Sequence, residues 1–263
     1  MTFLSALRRS VRLSTALFGI AIATAAPLAC AQGATSASYA VLSVIGDKMT
    51  VVAFRTPTAS NLDRNERAEI PARQAFDRTA LLAADDAIKA ARPAARVILL
   101  QPNDPALFAL QAESLGQSGA TEPAWETLRA LLKQSGATRL LLVSKYRAEA
   151  RLRSRDSYIG TGKLSGIGFY LDELMEMTQY TTGESNQGFI APYVYVTVSL
   201  LDTQQMRVIR RRDVIESQVV SLGNRGSATR AWEAMTTEAK VNSLQSLIRA
   251  AVSGAVPDVL AGE

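Results

Sequence analysis

The chain has 263 residues, no histidine and one cysteine, Cys30. Without histidine it lacks the commonest general base, the Ser-His-Asp triad and the usual zinc ligand. Cys30 falls inside an N-terminal segment that reads as a secretory signal. The chain left after cleavage therefore has no thiol nucleophile and no disulfide. It must hold itself together by its core, and about 230 residues suffice for that. Excess charge is also scarce. There are 29 basic and 24 acidic residues, a net +5, but Arg8, Arg9 and Arg12 lie in the leader. Without them the balance is 26 against 24, or +2. A nucleic-acid binder keeps its positive excess, so no nucleic acid is expected as a partner. Nor is there a long hydrophobic run. Residues 13–26 are apolar, but the stretch is short, carries Ser14 and Thr15, and is stopped by Pro27, which argues against a membrane anchor.

What the leader does contain is a positive start, an apolar middle and small residues at Ala29 and Ala31. Residues 1–31 are expected to be a signal peptide cleaved after Ala31, leaving 32–263 as one periplasmic domain. The alternative is a lipoprotein anchored through Cys30. Pro27 stands where a lipoprotein signal places an aliphatic residue, so membrane attachment is expected only if Cys30 is lipidated.

The stretch 192–220, PYVYVTVSLLDTQQMRVIRRRDVIESQVV, organises the rest. Val194, Val196, Val198 and Leu200 share one face, and Tyr193, Tyr195, Thr197 and Ser199 the other, which predicts a strand buried on one side. Asp202-Thr203-Gln204-Gln205 is a hairpin break, and a second arm follows. Before it, 39–45 and 49–54 around Gly46-Asp47-Lys48 predict a first hairpin, and 55–69 a loop. Residues 71–91 predict a helix opened by Pro71, with Phe76, Ala80, Ala83, Ala87, Ile88 and Ala91 in its stripe. The run at 95–100 has no alternation and predicts a central strand. Residues 104–115 and 121–134 predict two helices, the second stopped by Gly136. Residues 138–154 read as a buried strand emerging into a half-exposed arm. Residues 155–191 read as a long glycine-rich insertion with a short strand near 167–171, and 227–252 as a closing helix. The fold class is thus α/β of the α+β kind. A mixed, largely antiparallel sheet carries packed helices in the order β-β-α-β-α-α-β-(β)-β-β-α.

Candidate sites are few. Gly160-Thr161-Gly162-Lys163 resembles part of a phosphate loop, but Ser157 stands at the first glycine position, Leu164 follows the lysine and no helix is predicted after it. Asp172, Glu173 and Glu176, or Asp85 and Asp86, are the acids available for acid–base work. Neither set has calcium-loop spacing. Arg147, Arg151 and Arg153, with Arg207, Arg210, Arg211 and Arg212, form basic faces that lie together if their arms pair. They would meet an acidic partner or form a solvated, salt-bridged face. Phe169, Tyr170, Met175, Met177 and Tyr180 form an adhesive patch or fold back onto the sheet. The expected partner-binding set is Phe169, Tyr170, Met175, Met177, Tyr180, Arg147, Arg151, Arg210 and Arg212.

Two blocks, GATRLLLVSKYRAEARL at 136–152 and YVYVTVSLLDTQQMRVI at 193–209, followed by a long final helix, resemble a group of bacterial envelope domains. The group includes the curli-secretion lipoproteins, the lipoprotein activators of penicillin-binding proteins and the amino-terminal domain of the Tol-system propeller protein. Gly136-Ala137 and Leu200-Leu201-Asp202-Thr203 occupy the matching places. The resemblance implies binding to other proteins without catalysis.

The expectation is an exported, non-catalytic adaptor for an envelope protein or a peptidoglycan-associated component, with no catalytic residues, cofactor or metal. A carboxylate-dependent hydrolase or lyase, or a small-ligand-binding periplasmic protein, is the alternative.

Overall fold

The computed structural model describes residues 37–54, 65–72, 75–110, 123–155, 157–178, 185–221 and 231–261. The expected signal peptide lies outside them. In chain order the elements are β1 (Ser38–Ser43), β2 (Lys48–Ala53), β3 (Glu66–Pro71), α1 (Ala75–Ala91), β4 (Arg96–Leu100), α2 (Pro123–Ser135), β5 (Arg139–Lys145) and β6 (Arg147–Glu149). Then come β7 (Leu152–Arg153), β8 (Tyr158–Ile159), β9 (Lys163–Thr178), β10 (Ser185–Asp202), β11 (Arg207–Ser217), β12 (Val220–Ser221) and α3 (Thr237–Leu260). Short 3-10 turns occupy Pro105–Ala109 and Ala231–Ala234. No helix among the described residues is long and apolar enough to cross a membrane.

The architecture is α+β, with one large, mostly antiparallel sheet and helices packed on it. Its spine is β10, 18 residues long. Along one edge β10 pairs antiparallel with β9 up to Tyr195 and with β5 from Val196 onward. Its other edge pairs with β12 and β11. The sheet is therefore two half-sheets set end to end, β3-β2-β9 and β4-β1-β5, sharing one long strand.

Helices α1 and α3 cover one face. Tyr39, Val41, Leu141, Val143, Val194, Val196 and Val198 meet Ala80, Ala84, Ile88, Leu244, Ile248 and Val252 there. The other face is covered in two pieces. α2 and the turn Pro105–Ala109 lie over Leu42, Leu140, Leu142 and Leu201. The arm formed by β6, β7 and β8 lies over Tyr170, Phe189, Tyr193 and Tyr195. Both faces of β10 are thus buried, and the one-sided strand of the sequence pattern is corrected. Its polar face is Tyr193, Tyr195, Thr197 and Ser199, all at most 1% exposed. These side chains are amphipathic or small enough to lie under a cover, and Thr197 Oγ1 donates to Asp213 at 2.6 Å.

The expected hairpin at 39–54 does not exist. β1 runs parallel to β5 and β2 parallel to β9, so the two strands follow one line and do not pair with each other. Between them the backbone leaves β5 before it joins β9, and the carboxylate of Asp77 takes the exposed donors. Its Oδ1 accepts from Ser43 Oγ at 2.6 Å, Ile45 N at 3.0 Å and Gly46 N at 3.1 Å, and Oδ2 accepts from Gly46 N at 3.1 Å. Asp77 lies in the first turn of α1 and is 1% exposed. Gly46 is there because a Cβ would sit 2.4 Å from Asp77 Oδ2, not because the chain reverses.

Other boundaries move for similar reasons. Pro71 ends β3 instead of opening α1, and a proline without an N–H is tolerated on that edge strand. β4 is an edge strand and not a central one. Its two faces touch the two helical covers, which explains the unbroken apolar run, but it pairs only with β1 among the described residues. The helix expected at 104–115 is a 3-10 turn at Pro105–Ala109, capped by Asp104, whose side chain accepts from Ala106 N. Residues 111–122 lie outside the described set. The closing helix starts at Thr237, capped by the Thr236 hydroxyl, and runs on to Leu260. Gly136 does end α2, at φ +67°.

The 155–191 segment is not an insertion. It supplies β8, all of β9 and the start of β10. One of its glycines serves close approach. Gly168 pairs with Tyr193 across the strands, and a Cβ there would lie 1.9 Å from Thr50 O and 2.6 Å from Tyr193 Oη.

Three stability outcomes follow. Gly168→Ala pushes a methyl into backbone and should cost about 3 kcal/mol or more in urea unfolding. Gly254→Ala meets nothing within 4 Å in the middle of α3, and should stabilise by up to about 1 kcal/mol. Desolvation raises the Asp77 carboxyl above its ordinary range, despite the hydrogen bonds that lower it. Its stability contribution is then full below the usual carboxylate pKa, near 4, and declines as pH rises through the higher folded value. Asp77→Asn sets an amide donor against the Gly46 N–H and should cost about 1–3 kcal/mol. The gap from wild type should be widest at low pH and narrow as pH rises, read by urea unfolding at matched pH.

Candidate functional site

The described part of the sheet has one end where strands outrun their neighbours. β2 accompanies β9 as far as Leu171, where Phe54 N donates to Leu171 O at 2.8 Å. β9 and β10 continue as a pair to Thr178 and Ser185. Within this overhang the register shifts, because Asp172 pairs with Phe189 but Glu176 with Gln187. Residues 173–175 bulge out of β9. The Asp172 carboxylate folds the bulge by accepting from Leu174 N at 2.8 Å and Met175 N at 2.9 Å. The result is that Leu174 is 55% exposed and Met175 36% exposed. Glu173 turns back, its carboxylate accepting from Ala231 N at 3.5 Å.

The structure divides the sequence-predicted patch. Met175 stands on the bulge. Phe169 and Tyr170 are fully buried and belong to the core. Phe169 faces α3 and meets Trp232 edge-on at 5.3 Å, whereas Tyr170 stacks on Phe189 under the arm. The Met177 side chain and Tyr180 lie outside the described residues. Leu174 is absent from the sequence-based set. The signal for it was Asp172 two residues earlier, a side chain suited to folding its own backbone.

The arginines also separate. Arg210 and Arg212 pair with Leu200 and Val198 across β10–β11, so they point to the helical face. There Arg210 Nη1 donates to Asp258 O at 3.1 Å, and Arg212 forms an ion pair with the Asp258 carboxylate in the last turn of α3. From the end of α1, Arg92 donates to Leu260 O at 3.2 Å. These cations sit where the helix C-terminus is negative. Arg147 and Arg151 lie on the arm, over the opposite face, so these four arginines do not form one face. Arg151 covers the Tyr158 ring at 4.6 Å. Arg147 borders an open depression of about 440 Å³ with Tyr146, Ala148, Glu149 and Lys163.

Tyrosine hydroxyls tie the arm down, a role no sequence pattern announced. Tyr195 Oη accepts from Arg151 N at 2.7 Å and donates to Glu149 O at 3.4 Å. Tyr170 Oη accepts from Thr161 N at 3.2 Å. Tyr193 Oη donates to Thr50 O at 3.3 Å. Burial pushes all three hydroxyls upward from the ordinary tyrosine range, which keeps them neutral donors.

Three of the candidate acids, Asp85, Asp172 and Glu173, are engaged locally. Asp85 pairs with Lys89 one helical turn away, and Asp172 holds its bulge. Among the described residues Asp77 is the carboxyl with a raised pKa, and it is sealed beneath α1. The described residues contain no cluster of potential metal ligands. Gly160 and Gly162 take positive φ in a turn that leads into β9. A strand after that turn offers no helix N-terminus for a phosphate.

No family model and no curated protein matches this chain. Three solved structures share part of its arrangement. One is a dodecamer of a PelC variant from Paraburkholderia phytofirmans, 12% identical over 85% of this chain and 89% of that one, TM-score 0.31. Another is a homolog of neuraminyllactose-binding hemagglutinin from Helicobacter pylori, 8% identical over 87% of each chain, TM-score 0.38. The third is a Xanthomonas campestris protein of family model DUF330, 8% identical over 86% of this chain and 84% of that one, TM-score 0.35. All three are bacterial proteins, and the scores are low, so the likeness assigns no activity.

Proposed function

We propose that this chain is an exported, non-catalytic accessory protein of the bacterial envelope that binds another envelope component, a protein or a peptidoglycan-associated one, through the overhanging end of β9–β10. The bulge carries this reading. Leu174 and Met175 are exposed apolar side chains on backbone that Asp172 fixes, so binding them does not first require ordering a loop. Met and Leu on a fixed support suit a shallow apolar recess in a partner. The leader, with its positive start and apolar middle, supports export. The missing histidine and the lone leader cysteine remove the commonest catalytic groups. The sequence resemblance to envelope domains that act by binding points the same way.

The test is a pull-down of the tagged chain from the bacterial envelope in mild detergent, at low and high salt. Deleting 160–188 is unsuitable, because it removes β9 with its buried residues and the start of β10. The informative variant is Leu174→Asp with Met175→Asp, which alters exposed positions only. We expect a stoichiometric partner with wild type and at least a tenfold loss, about 1.4 kcal/mol, with the double variant. Equal recovery by the variant rejects the bulge, and no partner at either salt rejects the adaptor reading. Intact mass of the recovered chain reports whether it begins at Gln32 or at a lipidated Cys30.

A further inference from the structure

The outer strands of the sheet differ in chemistry. β3 carries Glu66, Arg67, Glu69 and Pro71. β11 carries Arg207, Arg210, Arg211, Arg212, Asp213 and Glu216. Charges and proline of this kind discourage pairing with another chain. β4 has Arg96 and then Val97, Ile98, Leu99 and Leu100, with no further charge. Its inner edge pairs in parallel with β1, and its outer edge takes no strand among the described residues. The strand is nevertheless firmly placed. Val97 packs toward α1 and α3, Ile98 and Leu100 pack toward α2, and Leu99 is 38% exposed.

We infer that β4 pairs antiparallel with β4 of a second copy, about a two-fold axis through Ile98, and joins two sheets into one. A strand edge can meet itself under two-fold symmetry only in the antiparallel sense. In this register Ile98 faces Ile98, Val97 faces Leu99 of the second copy, and Arg96 faces its Leu100. The two Arg96 side chains stand at opposite ends, so no like charges meet. All cross-strand pairs at the centre are aliphatic, mostly β-branched, the favourable kind for a ladder. Pairing β4 with the β3 or β11 edge of another copy instead sets this apolar run beside charged rows. Five residues per side bury less than the roughly 1,200 Å² of a stable interface, so the dimer should be weak and concentration-dependent, with Kd on the order of micromolar.

Sedimentation of the purified chain from about 1 to about 200 µM, spanning that Kd, should show a monomer–dimer equilibrium. Leu99→Lys should raise Kd at least tenfold with an unchanged melting temperature, since the residue is exposed. In a Cys30→Ser background no other thiol remains, so Ile98→Cys should cross-link to itself under mild oxidation. Leu82→Cys, exposed on α1, should not. A chain that stays monomeric throughout, a dimer indifferent to Leu99→Lys, or cross-linking at 98 no faster than at 82 overturns the inference.

Discussion

Two backbone N–H groups, at Ile45 and Gly46, set the terms for the rest of the fold. The sheet is built as two halves on one spine, so the strand line beside β5 and β9 has to change partners midway. The change leaves donors inside the protein, and each unsatisfied one costs about 1–3 kcal/mol. A single carboxylate, Asp77, answers them together with the Ser43 hydroxyl. Because Asp77 sits in the first turn of α1, the same contact fixes where that helix meets the sheet. α3 then packs beside α1 over the same apolar layer. Its C-terminus is held by Arg92, Arg210 and Arg212. The Arg212–Asp258 pair is half exposed and worth at most about 1 kcal/mol. Each fully buried leucine or valine under the helix contributes about 1.5–3 kcal/mol. The apolar face holds α3, and the arginines set its end.

The opposite face follows a different rule. Over the β4-β1-β5 half the cover is helical and apolar. Over the β9 half it is a short-stranded arm, held by apolar burial and by hydrogen bonds to its backbone. Tyrosines supply both. Their rings fill the layer, and their hydroxyls bond to arm or sheet backbone. Gly168 belongs to the same solution, since only a missing side chain lets Tyr193 reach Thr50.

Much of this was legible, and the two largest errors share a cause. The alternation at 193–200, the break after Leu201, the helical stripe from Phe76 to Ala91 and the stop at Gly136 each encode a local period or a local turn, and each stands in the structure. The break is sharpened by Asp202, whose carboxyl is held below its usual range chiefly by the Gln205 N–H, with Gln204 N–H and Arg139 adding to it. What failed was the reading of glycine. At Gly46 and Gly168 the residue marks a close approach by Asp77, or by Tyr193 and Thr50, whereas Gly166 takes φ +65° within a strand, and sequence cannot tell these uses from a turn. A jog therefore read as a hairpin, and the longest hairpin read as an insertion. The exposed patch was legible by residue type and not by position. Met175 is exposed on the bulge, whereas Phe169 and Tyr170 point inward. The strand period places them on opposite faces, and only the two covers reveal that both faces are buried.

The distribution of charge bears on what remains available for recognition. Arg210 and Arg212 face α3, Arg151 lies on Tyr158, Lys145 pairs with Asp47 and Asp172 binds its own bulge. Charged groups engaged in this way have less to offer a partner, because a new contact must first replace an old one. Leu174 and Met175 carry no charge to be engaged, they are exposed, and their backbone is already set by Asp172. Exposure on a fixed support is the condition under which apolar side chains add affinity instead of ordering cost. On the proposed reading the contact is apolar at its centre with acids, Glu173 and Glu176, beside it, and salt should tune association there more than determine it.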